Sequence, residues 1–174
     1  MIKKDFRKDY YTGLKGVYFH KIIDTIIQIG GLREQRIKIL DFGAGVGKLQ
    51  AALGKDKVTN FDIIPELSEI KDWRKRKYDF IVANEVFEQM TMSQIDKFLT
   101  DLKSSSPKAK LIVGISRKNP VNNLLAVLGG ESDAHVDGIT PPFAQLETLT
   151  KQMRVVTSKT VFGLCDVYLL EFRN

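Results

Sequence analysis

Apolar residues recur with helical spacing in three segments of the chain, and this periodicity predicts amphipathic helices. They are expected over Lys15 to about Gln28, from Thr91 or Ser93 to about Leu102, and over Pro141–Met153. A shorter helix is predicted to begin at Lys48 and to end near Gly54. Glycine commonly follows the last turn of a helix, because it adopts the left-handed conformation without strain.

Short apolar runs between these helices predict buried strands. The runs are Ile37–Phe42, Val58–Ile64, Tyr78–Asn84 and Lys110–Ser116, followed by Arg154–Val161 and Asp166–Phe172 on either side of Gly163. Strands that alternate with helices predict an α/β sandwich with a mainly parallel sheet. The chain is expected to form one domain over residues 1–174, with residues 1–14 as an N-terminal arm.

A glycine-rich turn follows the first predicted strand. Asp41 stands near the end of that strand, and Gly43, Gly45 and Gly47 alternate before the helix that begins at Lys48. Glycines let a ligand approach the backbone closely, and a helix N-terminus presents unbonded N–H groups. The combination predicts a nucleotide-type site; the alternative is a tight turn that binds nothing. The dinucleotide pattern G-x-G-x-x-G fails, because its third glycine would fall at Lys48.

Composition limits the setting and the partners of the protein. Its 174 residues carry a net charge of +6, which suits an anionic partner or simply a lysine-rich surface. No apolar run approaches the length of a membrane span. The N-terminus lacks the apolar stretch of a signal peptide, and Cys165 is the only cysteine, so a cytoplasmic setting is expected.

Three stretches resemble the class I S-adenosylmethionine-dependent methyltransferases. Asp41–Gly47 has the D-x-G-x-G-x-G spacing of their first motif, and the stretch NFDIIPE resembles the motif at their second strand. Asn84–Gln89 is similar to the [S/N]-E-V-L-E-H pattern of ubiquinone- and menaquinone-type members, with Gln89 in place of the frequent histidine. The resemblance implies a Rossmann-like three-layer αβα sandwich whose sheet is mostly parallel with an antiparallel C-terminal strand.

The same resemblance implies S-adenosylmethionine as the cofactor and a set of residues that hold it. Asp62 would accept the ribose hydroxyl groups, since a carboxylate can receive both O–H donors. The loop at Asn84 and Glu85 would lie beside the methionine portion and the acceptor. The remaining residues implied at the cofactor are Asp41, Gly43, Ala44, Gly45, Gly47 and Ile63. No metal site is predicted.

One stretch departs from the family. Only 17 positions separate Asp62 from Asp79, which is too few for the full helix and third strand that members usually place there. A remnant of that strand is expected at Leu67–Ile70. Asp72 and Trp73 would then contact the adenine, the carboxylate at its amino group and the indole at its face. The alternative is that Trp73 plugs the sheet edge that the missing helix exposes.

The acceptor is left open by the sequence. A small molecule is expected; the alternatives are RNA, suggested by the positive charge, or a non-catalytic cofactor-binding or scaffold role. A general base is needed only if the acceptor must lose a proton. The candidates are Glu85, Glu88 and His135, of which His135 is a lone histidine in a predicted loop.

Overall fold

The computed structural model describes residues 13–34, 36–117 and 139–173, with side chains from residue 16 onward. The helices are α1 (Gly13–Gly30), α2 (Lys48–Leu53), α3 (Met92–Ser105) and α4 (Pro142–Gln152). The strands are β1 (Ile39–Phe42), β2 (Val58–Phe61), β3 (Phe80–Asn84), β4 (Lys110–Ser116), β5 (Met153–Val161) and β6 (Cys165–Phe172). The first helix begins at Gly13, inside the predicted arm, and the rest of that arm lies outside the described residues.

The six strands form one sheet in the order β2-β1-β3-β4-β6-β5. The first four are parallel, β6 is antiparallel to β4, and β5 is antiparallel to β6. Among the described strands, β6 alone therefore runs against the others. This arrangement confirms the predicted Rossmann-like α/β sheet with an antiparallel C-terminal strand.

A separate apolar core lies on each face of the sheet. On one face, α1 and α2 pack through residues such as Ile22, Ile26 and Leu49. On the other, Ile95, Phe98 and Leu99 of α3 pack with residues of α4 and the sheet. The N-terminus of α3 is fixed by a capping box, in which Thr91 and Gln94 each bond the other's backbone N–H. Helices on both faces complete the predicted three layers.

The connection from β2 to β3 is short, as predicted, but contains no strand at Leu67–Ile70. Two 3₁₀ turns, Pro65–Leu67 and Trp73–Lys75, occupy it instead. At Asn60, Glu69 makes the hydrogen bonds that a neighbouring strand would otherwise make. Its backbone N–H donates to the Asn60 carbonyl at 3.0 Å, and its carboxylate accepts from the Asn60 N–H at 2.9 Å. One side chain thus satisfies backbone that an adjacent strand would otherwise pair.

The single cysteine belongs to the core. Cys165 is fully buried, and burial raises the pKa of its thiol, which makes a nucleophilic role at neutral pH unfavourable. Within the described part of the chain, no helix has the length and apolar character needed to cross a membrane.

Candidate active site

The sheet register brings two of the predicted site residues, Asp41 and Asn84, to the same edge of the sheet. Asp41 pairs with Asn60 of β2 and with Val82 of β3, while Asn84 pairs with Gly114 of β4. The carboxyl ends of the parallel strands therefore lie side by side, and the residues that follow them share one side of the sheet. In open α/β sheets, ligands bind outside this edge.

Three glycines shape the turn between β1 and α2. Gly43, Gly45 and Gly47 have φ angles of 77°, 52° and 71°, a region that L-residues with side chains rarely adopt. A Cβ at Gly43 would collide with Val86, and one at Gly47 would lie 2.7 Å from the Asn60 amide. A Cβ at Gly45 would meet no atom within 4 Å. Side chains of the protein therefore fill the space at the Cβ positions of Gly43 and Gly47, whereas the space at the Cβ position of Gly45 is open.

The Asp62 carboxylate holds this turn from the end of β2. One of its oxygens accepts from the Gly45 N–H at 2.9 Å, and the other accepts from the Ile64 N–H at 3.0 Å. The N–H groups of Gly43 and Ala44 bond the Phe61 carbonyl, at 2.8 and 3.1 Å. The next side chain, Ile63, is 92% exposed. Asp62 is thus fixed in place between the turn and an exposed apolar residue.

Asp41 is a buried carboxyl beneath the same turn. Burial, together with the nearby charge of Asp62, raises its pKa to about 7. Among the described residues, none donates a hydrogen bond to this carboxylate. The negative charge of Asp62 disfavours ionisation of Asp41, and a cation bound near both carboxyl groups would favour it.

Asn84 and Glu85 follow β3. The Asn84 side-chain oxygen is buried, receives no hydrogen bond from a described residue, and leaves no room for a Cβ at Gly114. Glu85 adopts a left-handed conformation with φ of 55°. Such a conformation is uncommon for a residue other than glycine, and it clusters at functional sites.

The Glu85 carboxylate is held by two hydroxyl groups that the sequence patterns did not identify. One oxygen accepts from Tyr18 of α1 at 3.1 Å and from Ser116 at the end of β4 at 2.5 Å. Burial and the Glu85 charge raise the pKa of the Tyr18 phenol, so it remains a proton donor. We call Tyr18, Glu85 and Ser116 the polar cluster.

The family of the chain follows from its sequence profile. The profile described as "Methyltransferase domain" matches residues 15–154. The chain belongs to this methyltransferase family. The predicted class, an S-adenosylmethionine-dependent methyltransferase, is thereby confirmed. No curated protein matches the chain in sequence.

Solved methyltransferase structures share the fold. Magnesium protoporphyrin IX methyltransferase from Synechocystis PCC 6803 with bound SAH is 16% identical, with a TM-score of 0.65 over 97% of this chain and 93% of that chain. A SAM-dependent methyltransferase from Aquifex aeolicus is 20% identical, with a TM-score of 0.62 over 85% and 88%. N-methyltransferase NodS from Bradyrhizobium japonicum WM9 with SAH is 14% identical, with a TM-score of 0.62 over 90% and 88%.

In this methyltransferase, Trp73 and Asp72, the two residues predicted at the adenine, both have partners within the protein. The Trp73 side chain is 6% exposed and packs against Phe42 and Phe98, with ring centroids 6.0 and 5.5 Å away. The Asp72 carboxylate accepts from the Arg74 side chain at 2.8 and 3.1 Å. The geometry favours the alternative role, because the indole of this short connection is packed in the core.

Of the two other candidate bases, Glu88 lies within the described residues and His135 does not. Glu88 is half-buried in a 3₁₀ turn, and its carbonyl accepts from the Thr140 N–H at 3.2 Å. His135 lies outside the described residues. Glu85 is the candidate whose carboxylate is fixed by neighbours from two different elements.

Proposed function

We propose that this methyltransferase transfers the methyl group of S-adenosylmethionine to a small-molecule acceptor at the ends of β3 and β4. The observation that carries the proposal is the polar cluster. It adjoins Asn84 at the carboxyl ends of the parallel strands, which we call the cofactor edge, and it is only partly buried. A fixed carboxylate recognises a group that donates a hydrogen bond, such as a hydroxyl or an amine. The Synechocystis neighbour is itself named for a small molecule, magnesium protoporphyrin IX.

The turn and its carboxylates fit the cofactor. The space above Gly45 admits a ligand against the backbone. Asp41 and Asp62 supply negative charge, which complements a ligand that carries a sulfonium and an α-amino group. The ionised form of Asp41 is unfavourable while it lacks a partner, so a cationic ligand would stabilise this carboxylate most.

Each remaining predicted residue has a role that its position supports. Asp62 uses two of its roughly four acceptor sites for backbone N–H groups and keeps others for ribose hydroxyls. Ile63 presents an exposed apolar surface to the adenine. Asn84 and Glu85 border the methionine portion, with Ala44, Gly43 and Gly47 forming the turn.

When bound, the sulfonium supplies an activated methyl group, so the residues of the chain mainly orient the acceptor and exclude water. Glu85 is the group we assign to the acceptor. The Glu85 carboxylate accepts a proton from the acceptor, or it holds the hydroxyl or amine of the acceptor in line with the methyl group. Glu88 and His135 are further candidates for a base.

Charge placement argues against RNA as the acceptor. In residues 41–48, 61–69, 84–90, 115–117 and 161–166, which lie at the ends of β1 to β4 and at the turn from β5 to β6, seven Asp and Glu stand against two Lys and Arg. The acidic residues are Asp41, Asp62, Glu66, Glu69, Glu85, Glu88 and Asp166; the basic ones are Lys48 and Arg117. A polyanionic acceptor would be repelled there.

Two measurements test the proposal. Titration calorimetry with S-adenosylmethionine, S-adenosylhomocysteine and NAD is expected to show binding of the first two only. Incubation of the full chain with methyl-labelled S-adenosylmethionine and a cell extract is expected to label the small-molecule fraction. Tighter binding of NAD would overturn the cofactor assignment. Label confined to RNA, or cofactor binding without any methylated product, would overturn the acceptor assignment.

A further inference from the structure

The edge of the sheet opposite the cofactor carries a concentrated positive charge. It is formed by the chain segments at the starts of β1 to β5 and the end of β6: residues 31–34 with 36–38, then 54–57, 76–79, 106–110, 151–154 and 171–173. Strand pairing aligns Ile39 with Val58 and Phe80, Phe80 with Lys110, and Met153 with Phe172. We call these segments the basic edge.

Backbone hydrogen bonds join four neighbouring segments of the basic edge. The Ile39 N–H donates to the Lys57 carbonyl at 2.8 Å, and the Asp79 N–H donates to the Lys38 carbonyl at 2.8 Å. The Lys110 N–H donates to the Asp79 carbonyl at 3.0 Å. Six strands spaced about 4.8 Å apart make a row about 24 Å long. The backbone positions that carry the charged side chains are therefore fixed along this row.

The basic edge contains twelve Lys and Arg against four Asp and Glu. Its surplus of eight exceeds the net charge of +6 for the whole chain, so the rest of the protein is net acidic. The basic residues are Arg33, Arg36, Lys38, Lys55, Lys57, Arg76, Lys77, Lys108, Lys110, Lys151, Arg154 and Arg173. All but Lys57 and Lys110 are exposed. Only Arg154 forms an ion pair with a described residue, Glu171.

We propose that the basic edge binds the phosphate backbone of a nucleic-acid duplex, at a surface separate from the methyl-transfer site. A duplex carries one negative charge per about 1.7 Å of its axis, so it matches a rigid row of cations. This docking surface is independent of the proposed acceptor, because the two lie at opposite edges of the sheet. Duplex binding would localise the enzyme without presenting a base to the cofactor.

The side chains of the basic edge favour a duplex over other polyanions. Single strands are bound largely by stacking on exposed aromatic rings. The aromatic residues of these segments are Tyr78, which is buried, and Phe172, which is half-buried. The Lys103 ammonium lies over the Phe172 ring, 5.8 Å from the ring centroid. None of the exposed large apolar side chains among the described residues belongs to these segments. Membrane-surface binding commonly uses such side chains as anchors.

The test measures the binding of the full chain to a fluorescein-labelled DNA duplex of mixed sequence by fluorescence anisotropy at several salt concentrations. The edge variant is Arg36→Gln, Lys55→Gln, Lys77→Gln and Lys108→Gln. The matched control removes the same charge from exposed lysines elsewhere: Lys21→Gln, Lys71→Gln, Lys97→Gln and Lys159→Gln.

The edge variant is expected to bind the duplex at least about tenfold more weakly, while the control stays within about threefold. Each lost phosphate contact lowers the slope of log affinity against log salt by about 0.9, so the edge variant should lose up to about 3.6. Both variants should keep the wild-type affinity for S-adenosylhomocysteine, which shows that they are folded.

Four results would overturn the proposal. They are absence of duplex binding, equal weakening in both variants, tighter binding of the single-stranded form, and binding to phosphatidylserine vesicles without binding to the duplex. None of them bears on cofactor binding at the opposite edge, so failure of this proposal and failure of the methyltransferase assignment are distinguishable.

Discussion

The backbone N–H of Gly45 donates a 2.9 Å hydrogen bond to the Asp62 carboxylate, across 17 positions of the chain. The bond ties the turn after β1 to the end of β2. Asp62 therefore fixes the backbone that contacts the cofactor and also offers acceptor sites to it. The Asp62 side chain thus sets the backbone conformation of the turn and also provides negative charge at the site.

Replacing Asp62 by alanine is expected to weaken binding of S-adenosylhomocysteine by roughly ten- to a hundredfold. Hydrogen bonds to a charged group contribute about 1.5–3 kcal/mol, and the variant also frees the turn. Titration calorimetry measures the change. Asp56→Ala, which removes an exposed carboxylate at the start of β2, is the control and should leave affinity unchanged. Equal affinities in the two variants would contradict the role of Asp62.

Affinity for S-adenosylmethionine is expected to fall as the pH drops below about 7. The pKa of the Asp41 carboxyl is raised to about 7 by burial and the Asp62 charge, so acidification neutralises it. A cationic ligand favours the ionised form and releases a proton on binding. Calorimetry between pH 5.5 and pH 8.5, about 1.5 units on either side of that pKa, measures the profile. Between pH 5.5 and pH 7, below the ordinary pKa of about 7.7–8.0 for the ligand's own α-amino group, the profile of Asp41→Asn should be flat. A wild-type profile that is equally flat there would refute the assignment.

The same carboxyl makes folding stability depend on pH. Its pKa rises from 3.8 in the unfolded chain to about 7 in the folded one, so the folded state binds the proton more tightly. The stabilisation is complete below about pH 4 and is lost as the pH rises through about 7. Asp41→Asn is therefore expected to be more stable than the wild type at pH 8, by up to about 4 kcal/mol, but not at pH 4. Urea unfolding at the two pH values tests this difference, and a pH-independent effect would contradict it.

Trp73→Ala is expected to destabilise the fold by about 3–5 kcal/mol and to leave S-adenosylhomocysteine affinity unchanged. The indole is 6% exposed and packs against Phe42 and Phe98, so its removal opens a cavity. Trp73→Phe keeps part of this packing and should cost less. Denaturant unfolding and calorimetry separate the two effects. Loss of affinity at unchanged stability would instead restore the adenine-stacking role.

Much of the fold was predictable because its signals are local. Alternating apolar runs and helical periodicities fixed the order of strands and helices, and parallel topology then brought the ends of β1, β2 and β3 together. Asp41, Asp62 and Asn84 were identifiable for this reason. Ser116 also ends a strand, and the same criterion would have found it.

Other features depend on contacts between distant parts of the chain. Tyr18 reaches Glu85 across 67 positions, and nothing in the periodicity of α1 distinguishes it from a residue that merely packs. Trp73 had two physically reasonable positions in the short connection, one in the core and one at the ligand. The choice depends on how the connection packs against β1 and α3, which only the packed structure reveals.

Gly45→Val is expected to abolish measurable binding of S-adenosylhomocysteine in a folded protein. A Cβ at Gly45 would meet no atom of the protein within 4 Å, so the added side chain fills only the space assigned to the cofactor. The positive φ of 52° costs stability, by about 1–2 kcal/mol. Gly163→Val is the matched control, since Gly163 also has a positive φ, 71°, and open space at its Cβ position. Both variants should lose similar stability in denaturant, but only Gly45→Val should lose binding by calorimetry. If both bind as the wild type does, the turn is only structural; if both lose binding, strain rather than occupied space is the cause.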